Sequence, residues 1–289
     1  MANIKELKKK IKSTKGTLKI TQAMKLVSAA KLNKAQQAIQ TTRPYATELE
    51  DTIKTVSALV QNYEHEYLKE DVENKKAALL VISANKGLCG GYNSQLAKKV
   101  RQFLGETDLD VKVYFIGKKV RDLIKTEVNE GKFYTFEKQD ASFLEIQEVG
   151  KELAELFKTG EVGKVLVAYN IFESAIAFTP TVSQLLPMSL DEQVKAELQE
   201  KFPFDFKYDP NPKEILDTLI PESFSTSLWT AQLDANAAEH GSRMSAMDSA
   251  VRNCKDAIRS QTLTMNKLRQ AAITTELIEV VSGAESLNA

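Results

Sequence analysis

Residues 244–272 read MSAMDSAVRNCKDAIRSQTLTMNKLRQAA. Within them Met244, Met247, Val251, Cys254, Ile258, Gln261, Met265, Leu268 and Ala272 succeed one another in alternating steps of three and four. That spacing is a coiled-coil seam, which keeps one stripe of a helix turned to a partner over many turns. Arg243, Asp248, Arg252, Lys255, Asp256, Arg259, Lys267 and Arg269 fill the places between and keep the other faces in water. The seam belongs to a C-terminal segment, residues 212–289, whose helix is expected to begin at or just after Pro221.

The opposite end of the chain supplies a matching stripe. Ile4, Leu7, Ile11, Thr14 and Leu18 keep the same steps, after which the register is expected to slip, with Ile20, Met24 and Val27 carrying a shifted stripe. Gly16 lies inside the pattern and weakens the helix by ~1 kcal/mol relative to alanine. Ala29, Ala30, Ala35 and Ala38 then give a small-residue face that lets a second helix approach closely. Beyond Pro44 the stripe resumes as Leu49, Ile53, Val56 and Val60. A helix over residues 1–63 is ~90 Å long at 1.5 Å per residue, against a globular mean of roughly three turns. Each terminal helix has one apolar stripe, and antiparallel pairing of the two buries both. The alternative is two separate helices laid on the middle of the chain. A long helix at each terminus suits a part that transmits position rather than one that encloses a substrate.

Residues 75–208 read differently. Ala77–Ser83, AALLVIS, is an apolar run of strand length. Ser94–Leu104 is helix-like, Val111–Ile116 a strand, Lys118–Thr126 a helix, Phe133–Phe136 a short strand and Phe143–Phe157 a helix. Val165–Phe172 and Ala177–Leu186, divided by Glu173-Ser174, are too close together for a crossover and read as a hairpin at a sheet edge. Buried strands alternating with helices define a Rossmann-like α/β unit with a mostly parallel sheet. Pro203, Pro210 and Pro212 close it.

Composition limits the chemistry. The 289 residues carry no formal net charge, and 43 % hydrophobic and 27 % charged content is ordinary for a soluble chain. Residues 1–34 nevertheless hold ten lysines against one acid, Glu6, so this end is suited to an acidic partner surface. Residues 1–42 lack the aromatics and arginines of a nucleic-acid site. A membrane-surface helix would want bulky apolar and aromatic residues opposite the lysines, and the alanine-rich second half argues against one. Lysines that only keep a long helix soluble are the plainer alternative. Cys89 and Cys254 form neither a metal spacing nor a disulfide framework. No run is long enough to span a membrane, and none resembles a signal peptide.

The most enzyme-like stretch is Ser83-Ala84-Asn85-Lys86-Gly87-Leu88-Cys89-Gly90-Gly91-Tyr92-Asn93, a glycine-rich turn between strand and helix. It matches neither GxGxxG nor a P-loop, and no acid ends the second strand at Phe115-Ile116-Gly117. A tight turn with close helix–strand contact is favoured over nucleotide binding. Cys89 has no local histidine, and His65 and His240 stand apart without an acid–base constellation. No catalytic residue, metal or cofactor is expected. The C-terminal Ile278, Val280, Val281, Ala284 and Leu287 form an apolar tip that either frays or sits in a sleeve of other chains.

Taken together these residues resemble the gamma subunits of F-type ATP synthases over the whole chain. The resemblance is carried by Ile11-Lys12-Ser13-Thr14, by Lys19 to Val27 (KITQAMKLV), by Arg43-Pro44-Tyr45 and by the glycine loop, where Asn85 replaces the more usual aspartate. Arg243-Met244, Ala246-Met247, Ile273 to Glu279 (ITTELIE) and Ser282-Gly283-Ala284 are its most specific signature. The resemblance implies a non-catalytic rotor shaft inside a ring of alpha and beta subunits. It also implies an α/β domain on the c-subunit ring beside the epsilon subunit. By the same resemblance Met24, Lys25, Arg243, Gln270, Thr274 and Glu276 face the beta subunits. Arg43, Pro44, Tyr45, Phe206, Tyr208 and Asp209 face the c ring. Nucleic acid has no role, and the membrane is met only through partners. The start at Met1 without a transit peptide points to a bacterial form on the cytoplasmic face of the cell membrane.

Overall fold

The computed structural model describes residues 2–60, 63–71, 73–136, 140–188, 200 and 206–288. The chain divides into two units, residues 1–28 with 243–289, and residues 29–242. Two helices contribute to both, α1 (Ala2–Leu59) and α5 (Pro212–Asn288).

In the larger unit a five-stranded sheet has the order β3-β2-β1-β4-β5, built from β1 (Lys76–Ile82), β2 (Asp110–Ile116), β3 (Asn129–Tyr134), β4 (Lys164–Ser174) and β5 (Ala177–Leu186). The β1, β2, β3 and β4 strands pair in parallel, and β5 returns antiparallel along β4 as the edge hairpin expected from the sequence. From Ala77 to Ile82 β1 is apolar because both its faces are covered. Ala77, Leu79 and Val81 pack towards α2 (Tyr92–Glu106) and α3 (Lys118–Ile124). Ala78, Leu80 and Ile82 pack towards α4 (Phe143–Lys158), Leu49, Ile53 and Val56 of α1, and the start of α5. The helix pair thus supplies part of one layer of the α/β core. Within this unit α1 and α5 run antiparallel: Arg43 meets Asp234, while past the end of α1 the Tyr63 hydroxyl donates to Asp217.

Three sequence expectations are corrected here. The third strand is Asn129–Tyr134 rather than Phe133–Phe136, because it takes its register from β2, with Lys112 opposite Asn129. The second helix of the α/β unit stops at Ile124 instead of Thr126. The last helix begins at Pro212, well before Pro221. Asn211 Oδ1 accepts from the Glu214 backbone N–H at 2.9 Å, and proline suits the first helical turn that follows. Pro221 inside the helix costs ~3 kcal/mol. Leu216, Ile220, Phe224 and Leu228, four apart and fully buried, offset it at about 2 kcal/mol each.

The α1 stripe itself does not slip. Sheltered positions run Ile4, Leu7, Ile11, Thr14, Leu18, Thr21, Lys25, Ser28, Leu32, Ala35, Ile39, Thr42, Ala46, Leu49, Ile53 and Val56, in unbroken steps of three and four. The expected shifted stripe is wrong because polar and small side chains hold the seam where Ile20, Leu26 and Val27 face outward. Ile20 is 61 % exposed, against 5 % for Ile39. In the smaller unit Met247 and Val251 are buried, and Cys254, Ile258, Gln261, Met265, Leu268 and Ala272 are half-buried, as the seam requires. Lys25 Nζ reaches Asp248 Oδ1 at 2.6 Å, joining the two helices of this unit. From Ile273 to Ala284 every α5 side chain is exposed.

Candidate functional site

A sheet of this strand order opens a crevice at the carboxyl ends of β1 and β4, the place where such folds hold nucleotides. The glycine loop lies there, and α5 fills the space. Tyr92 Oη donates to the Ala235 carbonyl at 3.0 Å, and Ser242 Oγ donates to the Cys89 carbonyl at 2.6 Å. Ala238 packs with Ala84, Cys89 and Tyr92, and with Phe172 and Phe178 from the hairpin. The small residues of α5, Ala231, Ala235, Ala237 and Ala238, let the helix enter so deeply that it is buried almost all round. The loop therefore grips a helix where a phosphate would otherwise sit, as close helix–strand contact predicts. Cys89 is buried in this packing and is not an accessible nucleophile.

Two glycines make these approaches fit. At Gly117, with φ +89°, an added Cβ would lie 1.9 Å from the Ser83 carbonyl oxygen, so the end of β2 closes directly on the end of β1. Gly241 on α5, unexplained by the sequence, faces the turn of the β4–β5 hairpin. A Cβ there would stand 3.1 Å from the Ala175 carbonyl oxygen. Gly16 has nothing within 4 Å of its added Cβ and no such role.

Charged groups tie the same elements together. Arg43 Nη2 on α1 donates to Asp234 Oδ1 on α5 at 2.9 Å, and the Asp234 side chain is only 6 % exposed. Burial pushes the Asp234 carboxyl above its ordinary range, although Arg43 and the backbone N–H of Phe172 on β4 act in the other direction. Nearby, Tyr169 of β4 is raised first by burial and then by Asp234. Asp140, before α4, accepts from Lys31 Nζ of α1 at 3.0 Å and lies 3.7 Å from His240 Nε2 of α5. His240 first, and Lys31 with it, hold the Asp140 carboxyl far below its ordinary range. His65, the other histidine, accepts the Tyr67 backbone N–H at Nδ1 and caps a short turn, and burial lowers its pKa.

The residues singled out by resemblance fall in two places. In the smaller unit Met24 is half-buried and Lys25 is paired with Asp248, while Gln270, Thr274 and Glu276 are exposed. Thr274 Oγ1 donates back to the Gln270 carbonyl. Arg243 is 7 % exposed. In the larger unit Pro44 and Tyr45 are exposed, with the Tyr45 hydroxyl donating to Glu222 of α5. Phe206 and Tyr208 meet edge to face at 6.4 Å between ring centres, and Asp209 is exposed beside them. The roles of Lys31, Asp140 and Asp234 were missed by sequence reading, as was the partner of Tyr92 on α5. The one signal for Asp234 was an acid set among alanines in QLDANAAEH.

A Rossmann-like sheet whose binding crevice is filled by one of two long terminal helices defines the class. A family model described as ATP synthase matches residues 3–287. The ATP synthase gamma chain of an Anaeromyxobacter species is 39 % identical, over 99 % of this chain and all of its own. That of Chlorobium phaeobacteroides is 37 % identical over 99 % of each. A chain in the mitochondrial ATP synthase of Euglena gracilis shares the fold with a TM-score of 0.70 at 20 % identity, covering 99 % of this chain and 95 % of its own. A chain in the central stalk and c-ring structure of the Tetrahymena thermophila enzyme has a TM-score of 0.58 at 21 % identity, over 80 % of this chain and 99 % of its own. The chain belongs to the gamma-chain family of ATP synthases.

Proposed function

We propose that this chain is the central rotor shaft of an F-type ATP synthase, non-catalytic by itself. Residues 1–63 and 212–289 form the shaft, and residues 75–208 form the α/β domain at its foot. Ion flow through the c ring turns the foot, and the shaft, making different contacts at different angles, biases each beta subunit among its conformational states. The partners are the alpha and beta subunits of the catalytic head, the epsilon subunit and the c ring. No described helix is long and apolar enough to cross a membrane, and the chain is placed peripherally at the cytoplasmic face of a bacterial membrane through those partners.

The observation that carries this reading is the α1 seam, which runs from Ile4 to Val56 without a slip. A helix that keeps one face sheltered over its length suits a stiff transmitting part better than a substrate-binding one. The exposed Ile273, Leu277, Ile278, Val280 and Val281 at the far end of α5 add support, since such a surface suits a sleeve of surrounding subunits. Met24, Lys25, Gln270, Thr274 and Glu276 meet the beta subunits, with Arg243, buried in this chain, at the edge of that set. Pro44, Tyr45, Phe206, Tyr208 and Asp209 meet the c ring. Arg43 belongs to the same stretch of sequence, but its guanidinium is engaged with Asp234.

Copurification from native membranes tests the reading. The expected result is recovery in a large ATP-hydrolysing complex, with one copy of this chain for three each of two larger subunits. Recovery of the chain outside any such complex would end the rotor assignment.

A further inference from the structure

Asp234 is the point where three elements share one buried carboxylate. It sits on α5, takes the Arg43 guanidinium from α1 at 2.9 Å, and has the backbone of Phe172 on β4 close by. Tyr169 of the same strand lies within its field. Such a group is poor value as a stabiliser. Its surroundings disfavour the ionised carboxylate even with Arg43 beside it, and replacing a buried ion pair by a neutral group often leaves stability unchanged or raises it. What the arrangement does supply is direction. The carboxylate is held by the guanidinium of α1, with β4 close beside it. Rotation or sliding of α5 against α1 breaks this bond and leaves a buried carboxylate unsatisfied.

We propose that Asp234 is a positioning residue that keys α5 to α1 beside the sheet, so that a turn imposed on the sheet is passed to the helix pair without slip. Arg43 acts through Asp234 rather than on an outside subunit. The proposal deepens the rotor reading and rests on it.

The test uses the complete complex in membrane vesicles, with Asp234→Asn, Arg43→Lys, Arg43→Ala and the double variant Arg43→Ala with Asp234→Asn. Ion pumping is measured per ATP hydrolysed, and the melting midpoint of each purified full-length chain is followed beside it. The expected result is a loss of pumping per ATP in Asp234→Asn with no fall in its melting midpoint. Arg43→Lys retains more pumping than Arg43→Ala, and the double variant is no worse than Arg43→Ala. A merely structural role predicts the reverse, a lowered midpoint with unchanged pumping per ATP, and that result overturns the proposal. Losses that add in the double variant would also overturn it, by placing Arg43 on a separate partner. Both of these outcomes leave the rotor reading intact. Absence of the unaltered chain from any ATP-hydrolysing complex removes the rotor reading and this proposal together.

Discussion

Alanine at Gly16 and alanine at Gly241 make the same chemical change in two long helices, and the structure assigns them different effects. In a helix interior the substitution is worth ~1 kcal/mol in favour of alanine, because the glycine backbone loses more freedom on folding. At Gly16 a Cβ meets nothing within 4 Å, so the whole gain is realised. That corresponds to amide exchange about fivefold slower in the turns around residue 16, where opening is local. At Gly241 the Cβ would stand 3.1 Å from the Ala175 carbonyl oxygen and 3.3 Å from its Cα, inside ordinary contact. Either the hairpin turn moves or the helix does, and overpacking of this kind costs about 1–3 kcal/mol. The net effect at Gly241 therefore runs from neutral to about 2 kcal/mol destabilising. Hydrogen exchange by mass spectrometry on the unaltered chain and the two single variants, at one pH and temperature, reads both effects locally. Gly16→Ala should slow exchange on α1. Gly241→Ala should leave exchange unchanged or speed it, in α5 and in the hairpin turn together. Equal protection at the two sites would refute the argument that the Ala175 turn is the reason for glycine at 241.

The corrected register of α1 is tested by a second pair. Ile20→Ala should change stability by no more than ~0.5 kcal/mol, as for an exposed residue, whereas Ile39→Ala should cost about 2–5 kcal/mol as a buried one; denaturant unfolding of the full chain decides, and comparable costs would restore the slipped stripe. Asp140 gives a pH prediction. Its folded carboxyl lies far below the unfolded value of 3.8, so its contribution is fully present above that value and is lost as pH falls towards the folded one. Asp140→Asn should accordingly lower the melting midpoint at pH 7, by a margin that shrinks as the pH is taken below about 4; a margin that is constant with pH would separate Asp140 from Lys31 and His240.

The elements most legible in the sequence were those whose signal is local. The β1 run AALLVI is apolar at every place because both faces of the strand are covered, and the β4–β5 hairpin followed from a gap too short for a crossover. The α5 seam was readable residue by residue, since Met247, Val251, Cys254 and Ile258 are all good core residues at the correct spacing. On α1 the same rule misled, because three bulky residues lie off the seam while Thr21, Lys25 and Ser28 lie on it. Hydrophobicity alone selects the wrong stripe there; the strict spacing carried on from Leu18 selects the correct one. The start of α5 was misplaced because Pro221 is a strong local stop signal, whereas the burial that overrides it is tertiary. The charged ties were beyond reach for a similar reason. Arg43 and Asp234 are 191 positions apart, and Lys31 and Asp140 are 109 apart. Neither pair leaves a trace in local spacing.

The crevice occupied by α5 connects fold to function more directly than the glycine motif does. In a nucleotide-binding sheet the glycines give backbone N–H groups access to a phosphate, and the crevice must stay open. Here the loop turns its carbonyl at Cys89 towards Ser242, and Tyr92 spans to the Ala235 carbonyl, so the hydrogen-bonding capacity is used on a helix. Gly117 and Gly241 then act alike: each removes a side chain so that one backbone can press on another. A loop that released a ligand would need a low-energy open state, whereas one that transmits force must lack it. Opening this crevice would withdraw Tyr92, Ala84 and Cys89 from Ala238 and exchange the Tyr92–Ala235 hydrogen bond for one to water, which costs about 0.5–1.5 kcal/mol before the lost apolar burial is counted. The same strand order that elsewhere makes a site for exchangeable ligands is used here to hold a permanent one, the chain's own last helix.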